Sequence, residues 1–331
     1  MLTPGNRAER IAKAASLPVD GVAVDREDGG GPDQKAEARA AMVTAFRTLD
    51  FGPRERIVRI NAVGTEAFEA DIQALPADLI DTVFVPKVED GEQLRRLDEA
   101  LDRAERDAGR TRPLDVIATI ETPRGMLKAL DIADTGRRTS ALFFGSGDYS
   151  AATGQMVTER ALAVPRATIV AAAAAAGLQA IDAAYFTAVK DADATRADAL
   201  VARELGFDGK VIFHPNQAAP CNAVFSPEPA EVARAERIVA AHREALARGE
   251  GVAYVDGEFL AIDIVAMAER IIARARQVAA RDWGGSCRAA GDRGDGPGGD
   301  DRGRHLPAQG PVPGRRVARA DRRQIEGSQS E

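Results

Sequence analysis

Two carboxylates, Glu121 and Asp148, stand just beyond uncharged runs that read as buried strands, VIATI at 116–120 and ALFF at 141–144. Each then meets a helix-start signal: Thr122-Pro123, with proline at the first helical position, in one case and the loop Gly145-Ser146-Gly147 in the other. In an alternating β/α chain with parallel strands, the carboxyl ends of the strands gather at one face, where active sites lie. Two acids there make a hard-cation site. Magnesium takes one or two carboxylates and keeps waters and substrate oxygens, so a pair suits it better than a closed cage would. For either acid alone the competing reading is an N-cap or turn residue, and finding both in successive units favours the site.

Other charged residues crowd the same strand ends. Arg59, in RIVRIN at 56–61, sits near the end of a strand buried on both faces. A guanidinium there is costly unless paired, which makes it a structural ion-pair member or a binder of a carboxylate or enolate. Asp25, Glu27 and Asp28 share the segment DRED, and their mutual repulsion calls for a cation or an arginine nearby, unless the segment is a solvated turn. Lys87, after Phe84-Val85-Pro86, either pairs with Glu121 or caps its loop. His214 reads as a hydrogen-bonded structural residue.

The elements that must carry these residues alternate along the chain. A stub at 1–3 and a turn at Pro4-Gly5-Asn6 precede a short helix at 7–16. Strands follow at 21–25, 56–60, 82–85, 116–120, 141–144, 179–182 and 210–213. Helices are expected between them at 33–49, 65–75, through Leu94, Leu97 and Leu101, at 123–133, from Pro165 to Gly177, at 192–205 and at 229–248, with Asp33 a cap. Counting the stub, these are eight βα units, and the fold class is α/β, a (β/α)8 TIM barrel with a C-terminal helical lid segment. A doubly wound open sheet is the runner-up, but no G-x-G-x-x-G follows the first strand to recommend a dinucleotide.

The chain has 331 residues and a formal charge of −7. That length suits one α/β barrel with extensions, and the charge argues against a nucleic-acid partner. Two cysteines, Cys221 and Cys287, make neither a disulfide framework nor a thiolate metal site. No apolar run reaches the roughly 20 residues that cross a bilayer, and the start does not read as a signal peptide, so no membrane partner is expected and the default location is cytoplasmic. The organisation read from the sequence is a barrel over 1–250 with a truncated first strand, a hairpin and amphipathic helix over 251–281, and a tail over 282–331 rich in Gly, Pro, Arg and Asp whose composition is that of disorder. Asp256-Gly257 is the hairpin's turn pair, and lone Trp283 is expected to pack on the last helix.

TPGN at 3–6, DRED at 25–28, RIN at 59–61, VPKVED at 85–90, IETPRG at 120–125, FGSGDYSAATG at 144–154, GFDGKVIFHPNQ at 206–217 and DGEFLAID at 256–263 occur in this order. Together they resemble the citrate lyase β-subunit-like (CitE-like) CoA ester lyases of the HpcH/HpaI aldolase/citrate lyase family, over about 2–281. The resemblance implies magnesium held by Glu121 and Asp148, substrate bound by Arg59 and Glu121, and Asp25, Glu27, Asp28 and Lys87 in support of the metal's water shell. It places a catalytic acid at Asp263, acting on a neighbouring subunit in a homotrimer or hexamer. Arg26 departs from the pattern, which is apolar there, and the segment after Asp263 lacks the usual proline.

The chemistry so implied is reversible cleavage of a β-hydroxyacyl thioester, such as malyl-, β-methylmalyl- or citramalyl-CoA, into acetyl- or propionyl-CoA and a small 2-oxo acid. A malyl-CoA thioesterase or a CoA-independent hydroxy-oxo-acid aldolase would keep the metal and change the outcome. A non-catalytic binding protein or damaged gene product is the reading from another class.

Overall fold

The computed structural model describes residues 1–27, 35–249, 253–255 and 257–281. These lie in the first of two units, 1–284, and the second, 285–331, is outside the described residues. Asp28, Asp33, Asp256, Trp283, Cys287 and the expected tail fall outside them too.

Eight strands follow one another in space as they do in the chain, each parallel to the next. They are β1 (Leu2–Pro4), β2 (Gly21–Asp25), β3 (Glu55–Arg59), β4 (Thr82–Val85), β5 (Asp115–Ile120), β6 (Thr139–Phe144), β7 (Gln179–Ala183) and β8 (Gly209–Val211). The Leu2 amide donates to the Ile212 carbonyl at 2.9 Å, bringing the first strand beside the end of the last. The result is a nearly closed (β/α)8 barrel, and the three-residue β1 suffices to seat it.

Helices separate the strands: α1 (Ala8–Ala15), α2 (Lys35–Thr48), α3 (Glu66–Gln73), α4 (Gly91–Asp107), α5 (Pro123–Leu127), α6 (Ala129–Thr135), α7 (Ser146–Thr153), α8 (Glu159–Ala176) and α9 (Ala192–Leu205). After β8 come α10 (Ala218–Phe225), α11 (Pro229–Ala247), the hairpin β9 (Ala253–Val255) and β10 (Glu258–Leu260), and α12 (Ile262–Ala279). No helix among the described residues is long and apolar enough to cross a membrane.

Three of the differences from the sequence expectation have a local reason. The helix expected to open at Pro165 begins at Glu159, because the Thr158 hydroxyl accepts from the Ala161 amide and starts the helix one and a half turns earlier. The single helix expected at 123–133 is two, divided at Lys128. The last strand stops at Val211 rather than 213, since the amides of Phe213 and His214 are taken by the Gln217 side chain instead of a ladder.

Strand side chains alternate with period two, and both faces of this sheet are covered, which is why the strands read as continuous apolar runs. Ala23, Ile57, Phe84, Ile117, Ala141, Phe143 and Ala183 fill the barrel. Val24, Val58, Val83, Ala118, Ile120, Leu142 and Phe144 face outward onto the helices. The inner parity then carries upward into chemistry. Two residues beyond Ala23 is Asp25, two beyond Ile57 is Arg59, and four beyond Ile117 is Glu121.

Charge is also buried in the outer layer. Lys210 on β8 and Arg166 on α8 face Asp182 on β7 and Asp198 on α9, with Lys210 Nζ 2.5 Å from Asp182 and 2.7 Å from Asp198. Two cations meet two carboxylates, so the cluster offsets its own desolvation. A second apolar cluster joins α11, β10 and α12 through Ala235, Ile238, Val239, Leu260, Val265 and Ala268.

Candidate active site

The β2–β3 register sets Asp25 directly opposite Arg59. Arg59 Nε and Nη2 each donate at 2.7 Å to the two Asp25 oxygens, a bidentate fork, and Nη1 lies 3.1 Å from Glu27 Oε2. Glu27 also accepts at 2.6 Å from Lys87 Nζ. The repulsion within DRED is thus relieved by two cations. The Lys87 ammonium is held above the ordinary lysine range, first by that hydrogen bond. Behind this row, Arg26 is buried and lies 2.8 Å from fully buried Asp71, which also accepts from Asn61 Nδ2 at 2.6 Å. Arg26 therefore fits a place where an apolar residue was expected, because Asp71 supplies its counter-charge.

Lys87 does not pair with Glu121 through its ammonium, as one sequence reading had it. Its backbone makes that contact: the Lys87 amide donates to Glu121 Oε1 at 2.9 Å. Lys87 is the one non-glycine among the described residues with positive φ, at 52°. That left-handed backbone turns its amide toward Glu121 while its side chain reaches Glu27. Gly145, next to Glu121 across the β5–β6 ladder, has no side chain for a related reason. A Cβ there would come within 2.6 Å of the Glu121 Cβ and 2.5 Å of Oε2.

Asp148 lies in the first turn of α7, exposed, and its carboxyl is near enough to that of Glu121 to raise it. Glu121 is 3% exposed. Burial pushes its carboxyl up to about 8, with the charges of Glu27 and Asp148 adding to the effect and the Lys87 amide opposing it. Neither acid is an N-cap. Thr122 caps α5, accepting from the Gly125 amide at 3.0 Å, and Gly145 is the cap residue of α7.

The strand-end face therefore gathers Asp25, Glu27, Arg59, Lys87, Glu121 and Asp148. Asp263 stands apart, exposed in the first turn of α12, and Ala261 rather than Asp263 is that helix's cap. His214 is a structural residue as expected: its Nδ1 accepts from the Asn216 amide at 3.2 Å. The role of Gly145 is not readable from a loop signal alone, and a lysine carries no mark of a left-handed backbone.

The donor set fits a hard divalent ion. Glu121 and Asp148 offer only oxygens, and a buried carboxyl raised by desolvation and by its neighbours' charges is one that a divalent ion would return to its ionised form. Among the described residues no group of three or more His, Cys, Asp or Glu side chains is arranged to hold a metal, so the arrangement is the open pair and not a cage.

The acid's upward shift has a measurable consequence. In the protein without a cation, burying Glu121 neutral adds stability that is fully present below about pH 4.5, where the unfolded chain's carboxyl is also protonated, and is lost as pH rises toward about 8. A cation needs the ionised form. Magnesium binding at pH 7 is therefore expected to release close to one proton, and at pH 9 almost none, as read by calorimetry in two buffers of different ionisation enthalpy. Equal proton release at both values would show that Glu121 is not the group the ion ionises.

Comparisons with known proteins agree with this architecture. The HpcH/HpaI aldolase/citrate lyase family matches over residues 1–215. A (3S)-malyl-CoA thioesterase from Cereibacter sphaeroides is 36% identical over 84% of this chain and 94% of its own. An L-malyl-CoA/beta-methylmalyl-CoA lyase from the same organism is 32% identical over the same shares. The crystal structure of CitE from Mycobacterium tuberculosis in complex with magnesium, acetoacetate and coenzyme A superposes with a TM-score of 0.66, at 32% identity over 83% of this chain and 96% of that one. With a matching domain over most of the barrel and relatives of this identity along nearly their full length, the chain belongs to the HpcH/HpaI aldolase/citrate lyase family.

Proposed function

We propose that this protein is a magnesium-dependent carbon–carbon lyase that cleaves, or in reverse forms, a β-hydroxyacyl-CoA thioester, giving acetyl- or propionyl-CoA and a small 2-oxo acid. The observation that carries this reading is the Glu121–Asp148 pair at the barrel mouth, a buried carboxyl beyond β5 and an exposed one in the first turn of α7. Glu121 and Asp148 would hold the ion, which when bound supplies positive charge to the hydroxyl and carboxylate oxygens of the acid half and eases loss of the hydroxyl proton.

The chain's own residues divide the remaining work. Arg59, locked by Asp25 and Glu27 in one orientation, faces the thioester half and stabilises negative charge on its oxygen as the carbon–carbon bond breaks. The hydroxyl proton passes to solvent, the carbonyl of the 2-oxo acid forms as the bonding pair moves to the thioester α-carbon, and a protonated carboxyl delivers a proton to that carbon. Asp263, supplied by a neighbouring subunit of a homotrimer or hexamer, is assigned that proton. Lys87 orients Glu121 through its amide and neutralises Glu27 through its ammonium.

A thioesterase is the second reading, favoured by the 36% identity to the malyl-CoA thioesterase. Incubation with malyl-CoA separates the two. Glyoxylate and acetyl-CoA, abolished by EDTA, are expected; free malate and CoA without glyoxylate would replace the lyase by the thioesterase.

A further inference from the structure

We propose that Phe186 is the wall that sizes the acid half of the substrate, and that Gln217 holds this wall in place. The inference deepens the lyase reading and rests on it.

Phe186 lies three residues beyond β7, on the loop that leaves the mouth of the barrel. Its ring stands against the first turn of α7: a methyl placed on Gly147 would come within 3.5 Å of Phe186 Cζ and 3.9 Å of Cε1. Gly147 immediately precedes Asp148. The ring therefore sits at ordinary van der Waals distance from position 147, one residue before Asp148. At 37% exposure it is not a core residue, so core packing does not account for a phenylalanine here.

The loop is held by an unusual buried group. Gln217, 0% exposed, closes the HPNQ segment. Its Oε1 accepts from the Phe213 amide at 2.9 Å and the His214 amide at 3.1 Å, and its Nε2 donates to the Tyr185 carbonyl at 2.6 Å. A buried amide is tolerated only when it is bonded, and these bonds satisfy it across two loops, those after β7 and β8. Tyr185 is the neighbour of Phe186. One side chain thus fixes the backbone from which the ring projects, and a fixed wall discriminates where a mobile one would yield.

What the wall measures is the substituent on the carbon that bears the hydroxyl. That substituent is hydrogen when the 2-oxo acid is an aldehyde, as in glyoxylate, and methyl or larger when it is a ketone, as in pyruvate. An added methylene against a fixed apolar wall changes selectivity by about 10- to 200-fold. The protein is accordingly selective for thioesters whose acid half is derived from an aldehyde-type 2-oxo acid.

The test compares kcat/KM for malyl-CoA and citramalyl-CoA, with magnesium, in the wild type, Phe186→Ala, Phe186→Leu and Gln217→Met. Melting temperatures and calorimetric binding of glyoxylate, pyruvate and 2-oxobutyrate are measured on the same proteins. Phe186→Ala is expected to raise the citramalyl-to-malyl ratio at least about tenfold, and Phe186→Leu by less. Gln217→Met should move the ratio in the same direction. A Phe186→Ala protein that melts like the wild type with its ratio within twofold of it would overturn the wall. Lower melting in Gln217→Met with an unchanged ratio would reduce Gln217 to a structural clamp. If the wild type turns over neither thioester but binds 2-oxo acids, the lyase reading fails and the binding ratios decide the wall; if it binds none, the wall falls as well.

Discussion

Glu121→Gln is expected to leave the fold intact and to remove metal binding and turnover together. The substitution keeps shape and volume. Since burial already holds the Glu121 carboxyl up to about 8, the neutral amide imitates the form the folded chain prefers in the absence of a cation. The melting temperature of the metal-free protein at pH 8 should be equal or higher. The Lys87 amide keeps an acceptor, because the glutamine oxygen can occupy the place of Oε1. Magnesium loses one of its two charged ligands. A loss of several kcal/mol in charge stabilisation corresponds to about 10²- to 10³-fold or more in kcat/KM, at about 1.4 kcal/mol per tenfold. Calorimetric titration with magnesium and a thermal melt on one sample decide it. Unchanged magnesium affinity would move the metal elsewhere, and a steep drop in melting temperature would make Glu121 a structural acid.

Asp263→Asn is expected to reduce turnover by on the order of 10²-fold or more while the protein melts nearly as before, the range for losing a general acid or base. The residue is exposed, and Ala261 occupies the cap position of α12, so no cap bond is lost. Tyr254, Phe259, Ile262 and Met267 on the same segment are exposed large hydrophobics, a surface suited to packing against another subunit. Mixing tests whether the group acts there. Asp263→Asn subunits exchanged with Asp148→Asn subunits, each inactive alone, should recover partial activity, because some mixed interfaces carry both intact groups. Asp148 is the better partner for this test than Arg59. Removing Arg59 would leave buried Asp25 without its counter-charge, and breaking a buried pair in this way costs about 3–5 kcal/mol. Full activity in Asp263→Asn would exclude the residue from chemistry, and mixtures that have demonstrably exchanged yet stay inactive would place it in its own subunit's site.

Much of this was legible in the residues taken in order. Apolar runs ending in acids, separated by helical patterns and capped by Thr122-Pro123 or a glycine loop, determined the eight βα units and put Glu121 and Asp148 at one face. They could do so because strand parity and the parallel βα repeat are local rules: a residue an even number of places from an inward-facing one also faces inward, wherever the strand ends up. Asp25, Arg59 and Glu121 obeyed that rule. The buried ion cluster of Arg166, Asp182, Asp198 and Lys210 shows where it ran out, since each charge is explained only by partners on two other elements.

Tertiary structure alone decided who pairs with whom. Lys87 could have given Glu121 its ammonium; it gives its amide, because a left-handed backbone at 52° and the nearness of Glu27 send the side chain the other way. Gly145 is bare because the Glu121 side chain fills the space its Cβ would need, and Gln217 ends the last strand early by capturing two amides from across a turn. These choices depend on distances between segments far apart in the chain, set by how the barrel closes. Spacing within one segment carries no record of them.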